Sequence, residues 1–196
     1  MRVKGSALAF IVMPLTTEEK KILLSLARAS IEARLAGKLA PVPDVKTPGL
    51  LEKRGAFVSL HAKGRLRGCI GIFLSEGPLY ETIPDMAISA ATKDDRFSPV
   101  TKEELNGVEI EISVLTPLMK ISDVKEIEVG RHGIYIIKGS KRGVLLPQVA
   151  IEYGFDRETF LDQTCIKAGL KPGDWKNKAD IYIFEAEIFK EERKGV

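Results

Sequence analysis

The stretch Ala56-Phe57-Val58-Ser59-Leu60-His61-Ala62-Lys63-Gly64-Arg65-Leu66-Arg67-Gly68-Cys69-Ile70-Gly71-Ile72-Phe73 decides the fold. Two strand-like runs flank Lys63-Gly64, so Ala56–His61 and Arg65–Phe73 read as a β-hairpin. Alternation places Arg67, Cys69 and Gly71 on one face of the second strand, with Leu66, Gly68, Ile70 and Ile72 on the other. Glycine weakens a strand interior unless something must approach the backbone there. A thiol would then stand two residues from a guanidinium, beside bare backbone, and a nearby cation favours the reactive thiolate form of a cysteine. The same cysteine can equally be an inert, packed one.

Working outward, Thr16 to Glu19 is a capping box that opens a helix, with Ile22, Leu23, Leu26, Ala27, Ile31 and Leu35 at helical spacing and Gly37 as its stop. Pro41, Pro43 and Pro48 mark a surface loop. A second helical region follows Gly77-Pro78 and runs to Lys93; Pro84 either starts or kinks it. Asp94-Asp95-Arg96-Phe97-Ser98-Pro99 is a loop, and Thr101 to Glu104 a second capping box on a short helical turn. Val108–Thr116 alternates cleanly, with Val108, Ile110, Ile112 and Val114 inward and Glu109, Glu111 and Ser113 on the opposite face. Ile134–Lys138 and Gly143–Leu146 form a second hairpin. Pro147–Tyr153 and Asp156–Ala168 are helices, the latter capped by Asp156, and Ile181–Phe189 reads as one final strand. Hairpins and helices in separate runs predict an α+β fold with a mainly antiparallel sheet. The hairpin and Val108–Thr116 should share that sheet, covered by the helix at Thr17–Ala36.

The chain has 196 residues, 44% hydrophobic and 29% charged, with 30 basic and 27 acidic residues and a formal net charge of +3. This is the composition of a globular chain, and the charge is too even to imply a nucleic-acid or membrane partner. The basic clusters Lys63/Arg65/Arg67 and Lys138/Lys141/Arg142 flank turns, where charge is usually solvated. Two cysteines, Cys69 and Cys165, make no disulfide framework and suggest a reduced, cytoplasmic location. Asn and Gln are scarce beside Lys and Glu, a thermophile-like balance that leaves a Cys69–Cys165 pairing open. Arg2 and Lys4 before the apolar run Ala7–Met13 imitate a signal peptide, but the run is short and Pro14 follows without a small-residue cleavage site. Residues 1–14 therefore read as an N-terminal extension, a short strand or docked arm, ahead of one domain over 15–196. No stretch approaches the ~20 apolar residues of a membrane span.

The chain resembles the AMMECR domain family, through Leu66-Arg67-Gly68-Cys69-Ile70-Gly71 and a series of further segments in order. These are Ala87-Ile88-Ser89-Ala90-Ala91-Thr92, Asp95-Arg96-Phe97-Ser98-Pro99, Ile110-Glu111-Ile112-Ser113-Val114-Leu115 and Gly130-Arg131-His132-Gly133. Gly143-Val144-Leu145-Leu146-Pro147-Gln148-Val149 and Cys165-Ile166-Lys167-Ala168-Gly169-Leu170 complete the set. The similarity runs from about Leu15 to Phe189. It implies an α+β fold with a larger sheet-and-helix part and a smaller β-containing part, and no established reaction. Prokaryotic members are often encoded beside, or fused to, a Memo-type protein and a radical-SAM protein, which by association implies a protein partner.

Within these motifs, Cys69 and His132 are the candidate catalytic pair, with His132 as general base if the two meet. Arg67, Gly68, Gly71, Arg96, Glu111 and Gln148 are the candidate ligand-binding residues. Glu109 and Glu111 share a strand face; the pair can do acid–base work, bind a cation or line an exposed sheet face, and the favoured reading is ion pairing, with Arg67 and Arg96 as partners. Gln148, after Pro147 at a helix start, can recognise a ligand or satisfy backbone. Cys69, Cys165, His61 and His132 include no close ligand pair, so no metal or other cofactor is expected, and no phosphate-binding or dinucleotide fingerprint is present. Three readings follow. The first, which the turn-borne Arg, Gly and Gln residues favour, is a binding or adaptor module for a small anionic ligand or a partner segment. The second is a cysteine-dependent enzyme acting on a carbonyl or acyl group. The third, a nucleic-acid-associated factor, fits the charge balance least.

Overall fold

The computed structural model describes residues 13–40 and 47–192. The extension before Met13, and Pro41 and Pro43 of the proline-rich connection, lie outside the described residues. Helix α1 (Thr17–Leu35) opens on the expected reciprocal cap: Glu19 N–H donates to Thr16 Oγ1 and Thr16 N–H to Glu19 Oε2. Glu19 Oε1 also accepts Gly49 N–H at 3.0 Å, tying α1 to the one-turn helix α2 (Pro48–Leu51) inside the proline-rich loop.

Strands β1 (Ala56–Ala62) and β2 (Arg65–Ile72) form the hairpin, and β3 (Val108–Leu115) pairs antiparallel with β1. Helix α3 (Leu79–Thr92) runs through Pro84, which neither starts nor ends it, and α4 (Lys102–Leu105) carries the second capping box. After β4 (Met119–Lys120), a two-residue strand that sequence periodicity is too short to reveal, β5 (Gly133–Lys138) and β6 (Lys141–Leu145) make the second hairpin. Helices α5 (Pro147–Glu152) and α6 (Arg157–Lys167) follow, α6 capped by Asp156.

The last strand is not continuous. It splits into β7 (Asp180–Phe184) and β8 (Ala186–Lys190), which belong to different sheets. The break falls at Glu185, whose N–H donates to Thr116 Oγ1 at 2.8 Å and whose carbonyl accepts Thr116 N–H at 2.9 Å. Thr116 directly follows β3, so this bridge fixes the point where the chain crosses between sheets.

The result is α+β with two antiparallel sheets: β2-β1-β3-β8 (sheet A) and β4-β7-β5-β6 (sheet B). Ala56, Val58, Leu60, Ile110, Ile112 and Val114 turn one face of sheet A toward α1 and α3, the alternation expected from the sequence. Helix α3 lies on β1 and β2, and α1 packs chiefly beside α3 and reaches β3, so the cover is shared rather than supplied by α1 alone. Sheet B buries Ile134, Ile136, Ile181 and Ile183 against α5 and α6. Its other face brings Tyr135, Tyr182 and Phe184 against Phe57, Phe73 and Leu115 of sheet A's outer side. Phe73 meets Tyr135 at 4.8 Å and Phe184 at 5.0 Å between ring centroids, an aromatic joint between the two sheets.

Candidate functional site

The aromatic joint covers only part of sheet A's outer face. Phe57 is on the covered part; further along β1, Ser59 and His61 occupy the same face, two and four residues on. Register then sets a row across the strands: Cys69 of β2 opposite Ser59, Ser59 opposite Glu111 of β3, and Glu111 opposite Lys190 of β8. Beside it lies a second row, Leu66, His61 and Glu109. Cys69 Sγ accepts a hydrogen bond from Ser59 Oγ at 3.2 Å. The Glu111 side chain is half-buried and makes no hydrogen bond or ion pair among the described residues, whereas Lys190 turns to Glu109 at 3.4 Å.

β2 is an edge strand, and its backbone at Cys69 is capped by side chains. Cys69 N–H donates to Asp94 Oδ2 at 2.8 Å and its carbonyl accepts Arg96 Nη2 at 3.2 Å. The Asp94 carboxylate is 3% exposed and also accepts Arg96 Nε (2.9 Å), Arg96 Nη2 (2.7 Å) and Arg96 N–H (3.2 Å). The Arg96 guanidinium, above all, holds the Asp94 carboxyl far below the usual carboxylate range, and Asp94 in turn raises Arg96. The pair thus offers a donor and an acceptor at the place where a neighbouring strand would sit, which blunts the edge. With 53% of its side chain exposed, Arg96 keeps Nη1 without a partner among the described residues.

Arg67 is not the cation beside the thiol. Leu60 pairs with Gly68 and His61 with Leu66, so Arg67 is the extra residue of a β-bulge. The bulge breaks the expected alternation. Leu66 comes onto the outer face opposite His61, 41% exposed, and Arg67 reaches to Ser98 O (2.8 Å), Pro99 O (3.4 Å) and Glu104 Oε2 (3.1 Å). The expected pairing of Glu109 and Glu111 with Arg67 and Arg96 is also overturned, because each arginine has a nearer carboxylate in Glu104 or Asp94.

Gly68 and Gly71 do admit a close approach, but the protein itself makes it. A Cβ on Gly68 would lie 2.3 Å from Ala90 O of α3, and one on Gly71 would lie 2.2 Å from the Phe57 ring. Their place is to seat a helix and a ring against the strand.

His132 belongs to the other sheet's margin. It is 7% exposed in the turn before β5; its Nδ1 accepts Glu128 N–H at 3.1 Å, and Nε2 faces Glu185 at 3.9 Å. Nδ1 as acceptor leaves the proton on Nε2, directed at a carboxylate. No hydrogen bond joins it to Cys69. The histidine on the thiol's own sheet face is His61, whose Nε2 is buried without a hydrogen-bond partner. Gln148 follows Pro147 in the first turn of α5, and its Oε1 is likewise buried and unpartnered. Cys165 is fully buried, burial pushes its thiol up, and both cysteines are free. Among the described residues no group of three or more His, Cys, Asp or Glu side chains could hold a metal ion, and no helix is long and apolar enough to cross a membrane.

Residues 24–189, which contain Ser59, His61, Cys69, Asp94, Arg96 and Glu111, match the AMMECR1 family model. The chain belongs to the AMMECR1 family. Archaeal relatives are similar over nearly their whole length. Protein Mbar_A1807 of Methanosarcina barkeri is 45% identical over 90% of this chain and 92% of its own. Protein MJ0810 of Methanocaldococcus jannaschii is 48% identical over the same shares. The crystal structure of uncharacterized protein PH0010 from Pyrococcus horikoshii is similar at a TM-score of 0.82 and 42% identity, covering 91% of this chain and 94% of that one. The family resemblance read in the motifs is thereby established, and the α+β AMMECR1 fold with it.

Two site features escape sequence reasoning. Asp94 stands in a visible loop, but only the fold aims its carboxylate at the Cys69 amide. Ser59 and His61 could have been found by carrying strand alternation from Cys69 across the hairpin.

Proposed function

We propose that this AMMECR1-family chain is a binding module whose recognition surface is the uncovered part of sheet A's outer face, centred on Cys69, Ser59 and Glu111 and bounded by Arg96. The observation that carries this reading is Glu111, a half-buried carboxylate with no partner among the described residues, in line with a hydroxyl and a thiol. A carboxylate with no protein partner among the described residues can accept hydrogen bonds from the donor groups of a ligand. Glu111 suits a donor group, and the remaining N–H groups of Arg96 suit an anionic or carbonyl group. Adjacent strands lie ~4.8 Å apart, so Cys69 and Glu111 span about 10 Å. That spacing accommodates a small anionic ligand with a second polar end, or an extended segment of a protein partner. A partner of the Memo or radical-SAM type, implied by the family resemblance, would supply such a segment.

One observation favours a second reading, a cysteine-dependent enzyme: the unpartnered Nε2 of His61 on the same face as Cys69. In that reading His61, and not His132, is the base. The thiol's hydrogen bond to Ser59 rather than to an imidazole supports binding over catalysis.

Native mass spectrometry of the full chain, purified without denaturation, separates the readings. A retained molecule should be lost at least tenfold in Glu111→Gln and in Arg96→Lys, and reduced less in Cys69→Ser. Retention unchanged in both charge variants would reject the proposed surface. Turnover of the retained molecule abolished in Cys69→Ser, with retention intact, would establish the enzyme instead.

A further inference from the structure

Strict alternation along β2 would put Arg67 on the outer face with Cys69. The bulge turns it instead to the loop that carries Arg96, and bulges beside functional sites re-aim side chains in this way. That loop, residues 95–99, is anchored at both ends. Asp94 accepts the Cys69 amide before it, and Val100 N–H donates to Ala91 O of α3 at 2.8 Å after it. Phe97 N–H donates to Asp94 O at 3.1 Å, which closes a turn around Arg96.

Arg67 joins the second half of the loop to β2. One guanidinium, 15% exposed, reaches the carbonyls of Ser98 and Pro99 and the carboxylate of Glu104. Glu104 in turn accepts Thr101 N–H at 2.9 Å, so the same contact reaches the cap of α4. A planar fork meets several acceptors in fixed directions; an ammonium on a flexible stem does not. β2 and the loop are thus cross-tied by two arginines, Arg67 from the strand to the loop and Arg96 from the loop to the strand.

Arg96 stands in the middle of the tied segment, stacked on the neighbouring Phe97 ring at 5.5 Å. Asp94 chiefly, and the charge of Cys69 after it, hold the Arg96 guanidinium above its usual range, so thiol and guanidinium are within electrostatic reach of one another. The place of that charge depends on the loop backbone as well as on Asp94.

We propose that Arg67 is a positioning residue: by holding the Ser98 and Pro99 carbonyls it fixes Arg96 beside Cys69, and so gives the surface a preference for anions over neutral molecules. This rests on the Cys69 face being the recognition surface. The test alkylates the full chain at low ionic strength with iodoacetate, an anion, and with iodoacetamide, its neutral counterpart, and follows Cys69 by peptide mass mapping. Both reagents form an S–C bond with the same thiolate and release iodide, so thiolate population cancels from the ratio of their rates and the field at the thiol remains. Arg96→Gln should lower the iodoacetate-to-iodoacetamide ratio by about threefold or more. Arg67→Lys, which keeps the charge and loses the fork, should lower it by a similar factor and have no further effect in the Arg96→Gln background, with Cys165 protected throughout as the sign of an intact fold. A parent ratio in Arg67→Lys overturns the positioning role and leaves the surface standing. So does a further fall in the Arg96→Gln background, which would make Arg67 act on the thiol directly. A ratio unmoved by Arg96→Gln overturns the proposal at its second step. A Cys69 that reacts with neither reagent before unfolding removes the surface and the proposal together.

Discussion

Gly68→Ala should destabilise the chain by about 3 kcal/mol, at the upper end of what overpacking costs. A methyl there would lie 2.3 Å from the Ala90 carbonyl oxygen, a backbone atom of α3 that cannot rotate aside. Relief requires α3 to move off β1 and β2, which opens the core between Leu60, Ala87 and Ala91. Gly107→Ala is the control. Its added methyl meets Glu104 O at 3.5 Å, an ordinary contact, and its effect should stay within about 0.5 kcal/mol. Denaturant unfolding of the two variants against the parent chain measures the difference. Equal effects would mean that α3 does not press on β2 as described.

Asp94→Ala should cost about 2–3 kcal/mol near neutral pH, mainly because the Cys69 amide and the Arg96 side chain lose a charged acceptor. Arg96 is half exposed and can rehydrate, which keeps the loss below that of a fully buried pair. The pH dependence gives a sharper signature. The folded pKa of Asp94 is depressed, so its contribution is complete above the unfolded carboxylate value near ~4 and is lost as pH falls below it. The slope approaches about 1.4 kcal/mol per pH unit for this one proton. Stability curves of parent and Asp94→Ala should therefore converge on acidification from pH 5 toward pH 2. Parallel curves would show that Asp94 is not held ionised by Arg96 and the Cys69 amide.

Much of the fold is legible in the sequence because period and punctuation agree. The alternation of Val108–Leu115, the capping boxes at Thr16 and Thr101, and the hairpin at Lys63-Gly64 all appear where local chemistry puts them. The failures occur where a tertiary contact overrides a local pattern. Arg67 follows strict alternation on paper, yet one bulge residue moves Leu66 to the outer face and sends Arg67 to the Ser98–Glu104 segment. Ile181 to Phe189 looks continuous because nothing local interrupts it; the break at Glu185 is made by Thr116, 69 residues away. Of the proposed recognition surface, Cys69, Arg96 and Glu111 are visible in the sequence as residue types. The choice between His61 and His132 depends on which sheet each joins, and motif proximity does not report that.

A recognition surface at the Cys69 face alters the reactivity of its thiol, which alkylation footprinting reads. The full chain is exposed to iodoacetamide with and without the low-molecular-weight fraction of a cell extract, and both cysteines are followed by peptide mass mapping. The expected result is that Cys69 reacts in the native state and slows at least tenfold with the extract, that Cys165 reacts only on unfolding, and that Glu111→Gln abolishes the slowing. Equal protection of both cysteines until unfolding, or slowing at Cys69 that persists in Glu111→Gln, would show that the Cys69 face is not a recognition surface.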